Sequence, residues 1–230
     1  MSQSRLFIDI GNSAIKWRTC DSEVFTQGVS PFSLKLLPKA NSVWLSTVAH
    51  PNIVEAIKTE FSNVKLVEPL KQYGGLTLSY DDPSKLGVDR FLAMLGALER
   101  FPNSPLLVID AGSAVTFDVI DAKGIHQGGL IMPGFKALRE SFAKFSTNDL
   151  SLKTSELKNS TEGAWQSGTH AMLVSAINSQ IQNFELQYPD GVVTICGGIV
   201  KEILIELPLA VKFFDNLVLD GLESYSQSMG

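Results

Sequence analysis

Scarcity sets the first bounds on this chain. It carries only two cysteines, Cys20 and Cys196, far apart and without metal-ligand spacing. Neither a disulfide framework nor a clustered structural zinc site is expected, and both thiols read as buried apolar residues. No apolar run reaches the roughly 18–20 residues that a bilayer span needs. The opening MSQSRLFIDIGN holds too short an apolar stretch, broken by an acid, for a secretory signal. No membrane partner is expected, and the expected compartment is the cytoplasm. Basic excess is missing too. The 19 Lys and Arg against 24 Asp and Glu leave a formal charge of −5, which argues against a nucleic-acid partner, because a phosphate backbone selects a basic face. The three histidines, His50, His126 and His170, share no motif, and surface or structural roles are expected of each.

What the chain does have is length and apolar content. Its 230 residues, 44% of them apolar, suffice for one large domain or two lobes that each bury a core. Arg5 to Ile8 is a β-capable run that ends on Asp9, breaks at Gly11-Asn12-Ser13 and resumes at Ala14 to Arg18, which reads as strand, tight turn, strand. The same grammar returns at Leu106 to Ile109, ending on Asp110, turning at Gly112-Ser113 and resuming at Ala114 to Ile120. Further strands are expected at Val43 to Thr47, Val64 to Val67, Ile125 to Ile131 and Val192 to Cys196. Helices are expected near Asn52 to Phe61, Leu86 to Arg100 with one buried face, Phe135 to Phe145 and Thr161 to Gln187. This alternation predicts an α/β architecture with mixed sheets and two lobes related by duplication, residues 1–104 and 105–230. No Pro/Gly/Ser linker uncouples them.

Six segments carry residue types suited to chemistry, and each has a plain structural reading beside the functional one. Asp9 to Lys16 puts a carboxylate at a strand end beside a glycine turn whose N–H groups can approach a phosphate. The carboxylate suits Mg²⁺, or the segment is an ordinary Asp hairpin. It is not a Walker loop, lacking Gly-x-x-x-x-Gly-Lys. Tyr80 to Arg90 brings Gly87, Val88, Asp89 and Arg90 to a helix start, where an anion would be welcome, or where Asp89 merely favours the helix N-terminus. Asp110 to Thr116 is the second hairpin. Gly128 to Gly134 precedes a helix, Asn159 to Ala164 looks like a Ser or Thr cap, and Cys196-Gly197-Gly198 ends a buried strand.

In order, these segments resemble the type III pantothenate kinase pattern: Asp-x-Gly-Asn-Thr-x-x-Lys, Tyr-x-x-Pro with Gly-x-Asp-Arg, Asp-x-Gly-Thr-Ala-x-Thr, Gly-Gly-x-Ile-x-Pro-Gly, Asn-Ser-Thr and Thr-Gly-Gly. The likeness runs from Asp9 to Leu222, where Leu217 to Leu222 is similar to the family's closing segment. It implies a two-lobed actin-like (duplicated ribonuclease H-like) fold and a cytoplasmic homodimer. The implied reaction moves the γ-phosphoryl group of ATP to the 4′-hydroxyl of pantothenate, the first step toward coenzyme A. By position it implies ATP contacts at Asp9, Ile10, Gly11, Asn12, Ser13, Ala14, Ile15, Lys16 and Ser113. It implies pantothenate contacts at Tyr80, Gly87, Val88, Asp89, Arg90 and Thr161, with Asp89 as base, Mg²⁺ arriving with ATP, and Asp110 as ligand of an activating K⁺ or NH₄⁺. The dimer is expected to use the helix from Thr161 to Gln187, through its apolar stretch Ala171 to Ile177. Four features depart from the pattern: Ser13 and Ser113 stand where Thr is usual, Cys196 replaces the Thr of Thr-Gly-Gly, Trp165 stands where a smaller aliphatic is common, and the stretch near Ser146 to Ser155 looks trimmed. Two other readings stay open at this stage. A nucleotide-binding regulatory relative would not need intact Asp9, Asp89, Arg90 and Asp110, and a sugar kinase on the same fold would not need Tyr80 to Arg90 with Thr161.

Overall fold

In a computed structural model, described over residues 4–20, 22–142, 144 and 154–228, the repeated grammar becomes two sheets. β1 (Arg5–Ile10), β2 (Ala14–Thr19), β3 (Phe25–Gly28), β4 (Ser42–Thr47) and β5 (Val64–Leu66) form the first, in the order β3-β2-β1-β4-β5, with α1 (Pro51–Glu60) connecting β4 to β5. β1 pairs antiparallel with β2 and parallel with β4, so Asp9 lies opposite Lys16 on one side and Ser46 on the other. Because side chains alternate along a strand, Leu6, Ile8 and Ile10 share one face with Val43 and Leu45, and there they bury Ile53, Val54 and Ile57 of α1. Asp9 falls on the opposite face.

β6 (Gln72–Tyr73) and β7 (Leu76–Thr77) make a small hairpin ahead of α2 (Val88–Arg100). The chain continues through β8 (Leu106–Ala111), β9 (Ala114–Ile120), β10 (His126–Pro133), α3 (Phe135–Glu140), α4 (Thr161–Gln187), β11 (Val192–Cys196), α5 (Val200–Ile203), β12 (Lys212–Phe213) and α6 (Leu217–Ser228). The second sheet has the order β10-β9-β8-β11-β12. Ranked by appearance, both sheets read third, second, first, fourth, fifth, the mark of a duplicated unit. The core of the second unit joins Leu107 and Ile109 of β8, Val115 and Phe117 of β9, Val193 and Ile195 of β11, and Leu173, Ile177, Ile181 and Phe184 of α4.

The chain divides into two compact units, Met1–Asn103 with Ile120–Gly128 and Asp215–Gly230, and Ser104–Val119 with Gly129–Phe214. The expected division into 1–104 and 105–230 is corrected on this point: two later segments return to the first unit. The return of α6 has a visible cause. A Cβ at Gly221 would stand 1.9 Å from Leu92 O and one at Gly96 would stand 2.5 Å from Leu217 O, so α2 and α6 touch backbone to backbone. Arg18 bonds Asp220 at 2.9 Å and Glu223 at 2.8 Å, and Arg100 reaches Asp220 at 2.7 Å. Tyr225 packs among Trp44, Tyr73 and Phe91. For this reason α2 does not have the single buried face expected of it: every residue from Arg90 to Leu98 is buried.

Three smaller expectations also change. Helix α3 stops at Glu140 rather than reaching Phe145, which lies outside the described residues, as do residues 146–153 of the trimmed stretch. Cys196 is buried, but Cys20, just past the end of β2, is exposed. In Ala171 to Ile177, Leu173, Val174 and Ile177 are spent on the core of their own unit, leaving Met172 as its exposed large side chain. Among the described residues, no helix is long and apolar enough to cross a membrane.

Candidate functional site

The first turn is held from three sides. The Gly11 N–H donates to Ala14 O at 3.0 Å, closing the hairpin, and the Val29 N–H donates to Ser13 O at 3.4 Å. His50, at φ 59° before α1, donates from Nε2 to Asn12 O at 3.0 Å. Ser46 Oγ donates to Asp9 Oδ1 at 2.9 Å, which helps to orient a half-buried carboxylate. Lys16, directly across the pair from Asp9, shares its face of the sheet. Asn12 and Ser13 are exposed at the tip. The arrangement is a rigid turn with a carboxylate and an ammonium on one side, suited to polyphosphate.

The second cluster is built on the start of α2. Gly87 precedes the helix with φ −58° and ψ 133°, a conformation open to any residue, so its need for glycine is spatial. A Cβ there would stand 2.5 Å from Asp89 Oδ1. That oxygen accepts the Arg90 N–H at 2.8 Å, which occupies one of the N–H groups a helix start leaves over. The Asp89 charge is also favoured by the helix dipole. Arg90 is buried and donates from Nη1 to Tyr80 Oη at 3.2 Å. Tyr80 itself stacks on His126, with centroids 6.0 Å apart and planes 7° apart. Tyr80, Asp89 and Arg90, ten residues apart in sequence, are thus one connected group, and Gly87 and Val88 frame it.

In the second unit the same turn recurs. The Gly112 N–H donates to Ala114 O at 2.9 Å, and the Gly134 N–H donates to Ser113 O at 3.1 Å. Gly134, from the Gly-Gly-x-Ile-x-Pro-Gly motif, fits because a Cβ would lie 2.4 Å from Gly112 O. Asp110 pairs across the parallel ladder with Cys196, as Asp9 does with Ser46. The next residue, Gly197, has φ +112°, and a Cβ on it would stand 2.3 Å from Ala111 O and 2.6 Å from Asp110 Oδ1. Glycine is therefore required there for close packing, and Ala111 O itself accepts the Ile199 N–H at 3.1 Å. The hard oxygens of the Asp110 carboxylate fit a monovalent cation, as the Asp9 carboxylate fits Mg²⁺ carried with a nucleotide. Thr161 begins α4, where Ser160 Oγ accepts the Gly163 N–H at 3.2 Å, so the expected cap is Ser160. Thr161 is exposed. Trp165 is accommodated by donating its indole N–H to Arg139 O at 3.1 Å.

Two residues of these clusters were not singled out by motif. His50 joins the first turn through backbone and ring, and His126 joins Tyr80 from a segment more than forty residues away. Both have the structural roles expected of the histidines, and no local spacing links either to its partner.

The type III pantothenate kinase family profile matches residues 5–183. A type III pantothenate kinase of Alcanivorax borkumensis is 30% identical over 95% of this chain and 96% of its own length. One from Xanthomonas campestris pv. campestris is 31% identical over 97% of both chains. Among solved structures, a Baf family protein from Campylobacter jejuni superposes with a TM-score of 0.67 at 22% identity, over 97% of this chain and 98% of that one. A glucokinase from an Antarctic psychrotroph does so at 0.53 and 13% identity, over 99% and 100%. These structural likenesses carry the fold alone, and they give it as the actin-like one, α/β with two mixed five-stranded sheets.

Proposed function

The chain belongs to the type III pantothenate kinase family, and on that premise we propose that it phosphorylates pantothenate with ATP through the residues assembled above. The observation that carries the assignment of roles is the start of α2, where Gly87, Asp89, Arg90 and Tyr80 form one connected group. Phosphoryl transfer asks little covalent chemistry of a protein. It asks for positioning, for dispersal of negative charge, and for one group to take the proton of the attacking alcohol.

Asp89 is that group. Its Oδ1 accepts the Arg90 N–H, which holds the carboxylate at the helix start, and there it would take the 4′-hydroxyl proton. Arg90, steadied by Tyr80, holds the pantothenate carboxylate or the developing phosphate charge. The Asp9 to Lys16 turn receives the ATP phosphates through its N–H groups and Lys16, with Ser13 and Ser113 offering the hydroxyls that Thr offers elsewhere. Mg²⁺, bound with ATP and reached by Asp9, supplies neutralisation of polyphosphate charge. K⁺ or NH₄⁺ held at Asp110 would supply a further positive charge. Thr161 contributes to the pantothenate subsite from the start of α4.

The working form is a cytoplasmic homodimer. What supports the dimer is the family and the outer face of α4, where Gly168, Met172 and Leu186 are exposed. Light scattering of an active sample should give twice the chain mass, and a fully active monomer would end this assignment.

Asp89→Asn tests the base. The amide keeps the bond to the Arg90 N–H and loses the proton acceptor, so kcat should fall by about 10² to 10⁴ with ATP binding unchanged. A folded variant with kcat within about threefold of the unaltered chain would mean that Asp89 only favours the helix start.

A further inference from the structure

The turn between β9 and β10 belongs to the first unit, and its geometry serves one placement. Asp121 Oδ1 accepts the N–H groups of Lys123 and Ile125, both at 2.9 Å. Gly124, at φ +78°, approaches the β6–β7 hairpin so closely that a Cβ would stand 2.0 Å from Gly75 O, and Gly124 O accepts the Thr77 N–H at 2.9 Å. Ile125 then bridges to Thr77. The turn is stitched to the strand that leads into Ser79 and Tyr80, and it delivers His126, 1% exposed, beside them. The imidazole lies nearly parallel to the Tyr80 ring, and its Nδ1 is 3.3 Å from Ser79 Oγ.

We infer that His126 is a positioning residue for the pantothenate subsite: it fixes the plane of Tyr80 and, through the phenol oxygen, the guanidinium of Arg90. The inference rests on the roles given above to Tyr80 and Arg90. Tyr80 is half-buried at the end of an irregular segment, where a ring held on one side by solvent would turn about its side-chain bonds. A parallel ring pair removes that freedom, and the contact with Ser79 helps to set the rotation of the imidazole itself. The phenol oxygen then stays where Arg90 Nη1 finds it at 3.2 Å. Arginine recognises a carboxylate by the plane of its fork, so a guanidinium free to tilt binds the anion less well.

The test is steady-state kinetics on the full chain with both substrates varied. His126→Ala should raise the KM for pantothenate about two- to tenfold, the factor a ring pair is worth, with the KM for ATP unchanged. His126→Phe, which keeps a stacking ring, should bring the pantothenate KM back to within about twofold. Ser79 is exposed, so Ser79→Ala leaves folding intact and, by removing the hydroxyl 3.3 Å from the imidazole Nδ1, should raise the same KM in the same direction. That variant decides the matter if His126→Ala does not fold. Unchanged pantothenate KM in folded His126→Ala, or in Ser79→Ala should His126→Ala not fold, overturns the inference, and so does an equal rise in both KM values. An unaltered chain with no activity on pantothenate overturns the kinase reading together with this one, whereas an active chain with an insensitive KM overturns this one alone.

Discussion

Gly87 is where the geometry separates a folding role from a catalytic one. Its φ of −58° and ψ of 133° suit alanine, so Gly87→Ala introduces no backbone strain. The added methyl would meet Asp89 Oδ1 at 2.5 Å, and reaching ordinary contact at 3.4 Å requires the carboxylate to withdraw by about 0.9 Å. A carboxylate is the free end of a rotatable side chain and can yield. Doing so gives up its 2.8 Å bond to the Arg90 N–H. That loss costs about 1.5–3 kcal/mol at most, since the freed groups at this half-buried helix start can turn to water. The catalytic cost works on another scale. A displacement of about 1 Å at the reacting group costs on the order of 10²-fold. Gly87→Ala should therefore remain folded, with thermal unfolding lowered modestly, while kcat/KM for pantothenate falls about a hundredfold. Coupled kinase kinetics beside a thermal melt read both quantities. A folded Gly87→Ala protein that keeps kcat/KM within about threefold would refute the reasoning, because the carboxylate would then be displaced without consequence for the chemistry.

Two further outcomes follow from close contacts elsewhere. Asp110→Asn should shrink the stimulation of activity by K⁺ over Na⁺, at matched ionic strength, to within about twofold, and should weaken ATP use more than pantothenate use; equal activity of the unaltered chain in both salts would remove the cation from Asp110. Gly221→Ala places a Cβ 1.9 Å from the Leu92 carbonyl, a backbone atom that no rotamer can move, so α2 and α6 must part by about 1.5 Å. Urea denaturation should show a loss at or above the usual 1–3 kcal/mol of an overpacked core.

Much of the frame was legible because local pattern and tertiary position agreed. β9, β11 and α4 have the bounds read from the sequence, since each is a sustained run ended by a turn or cap signal. The site turns were legible for a related reason: Gly11 and Gly112 mark the hairpin turns, and Gly134 marks a backbone contact that only glycine permits. What failed was everything set by distant partners. The burial of α2 on every side depends on α6, about 120 residues further along, and nothing in its own periodicity announces that neighbour. The return of Ile120–Gly128 to the first unit, with His126 in it, depends on Gly124 meeting Gly75 O, a pairing of two glycines no spacing rule connects. Cys20 was misjudged because its residue type favours burial while its place, one step past a strand end, does not.

The duplication sets two aspartates in the same register, and different roles are proposed for them. In each sheet the aspartate ends the first strand, with a glycine turn after it and a residue of the fourth strand beside it. Beside Asp9 that residue is Ser46, whose hydroxyl donates to Oδ1 at 2.9 Å. Beside Asp110 it is Cys196, and a thiol is a weak donor. The following Gly197 packs closely against both groups, where a Cβ would stand 2.6 Å from Asp110 Oδ1 and 2.3 Å from Ala111 O, and that carbonyl accepts the Ile199 N–H at 3.1 Å. A carboxylate already oriented by a strong donor is suited to one defined geometry, that of a phosphate-bound Mg²⁺, which tolerates little angular freedom. Under the proposed assignment the carboxylate beside the thiol would serve a larger and less demanding monovalent ion. The monovalent cation proposed at Asp110 rests on the family resemblance, and the exchange of hydroxyl for thiol is the difference between the two copies that goes with it.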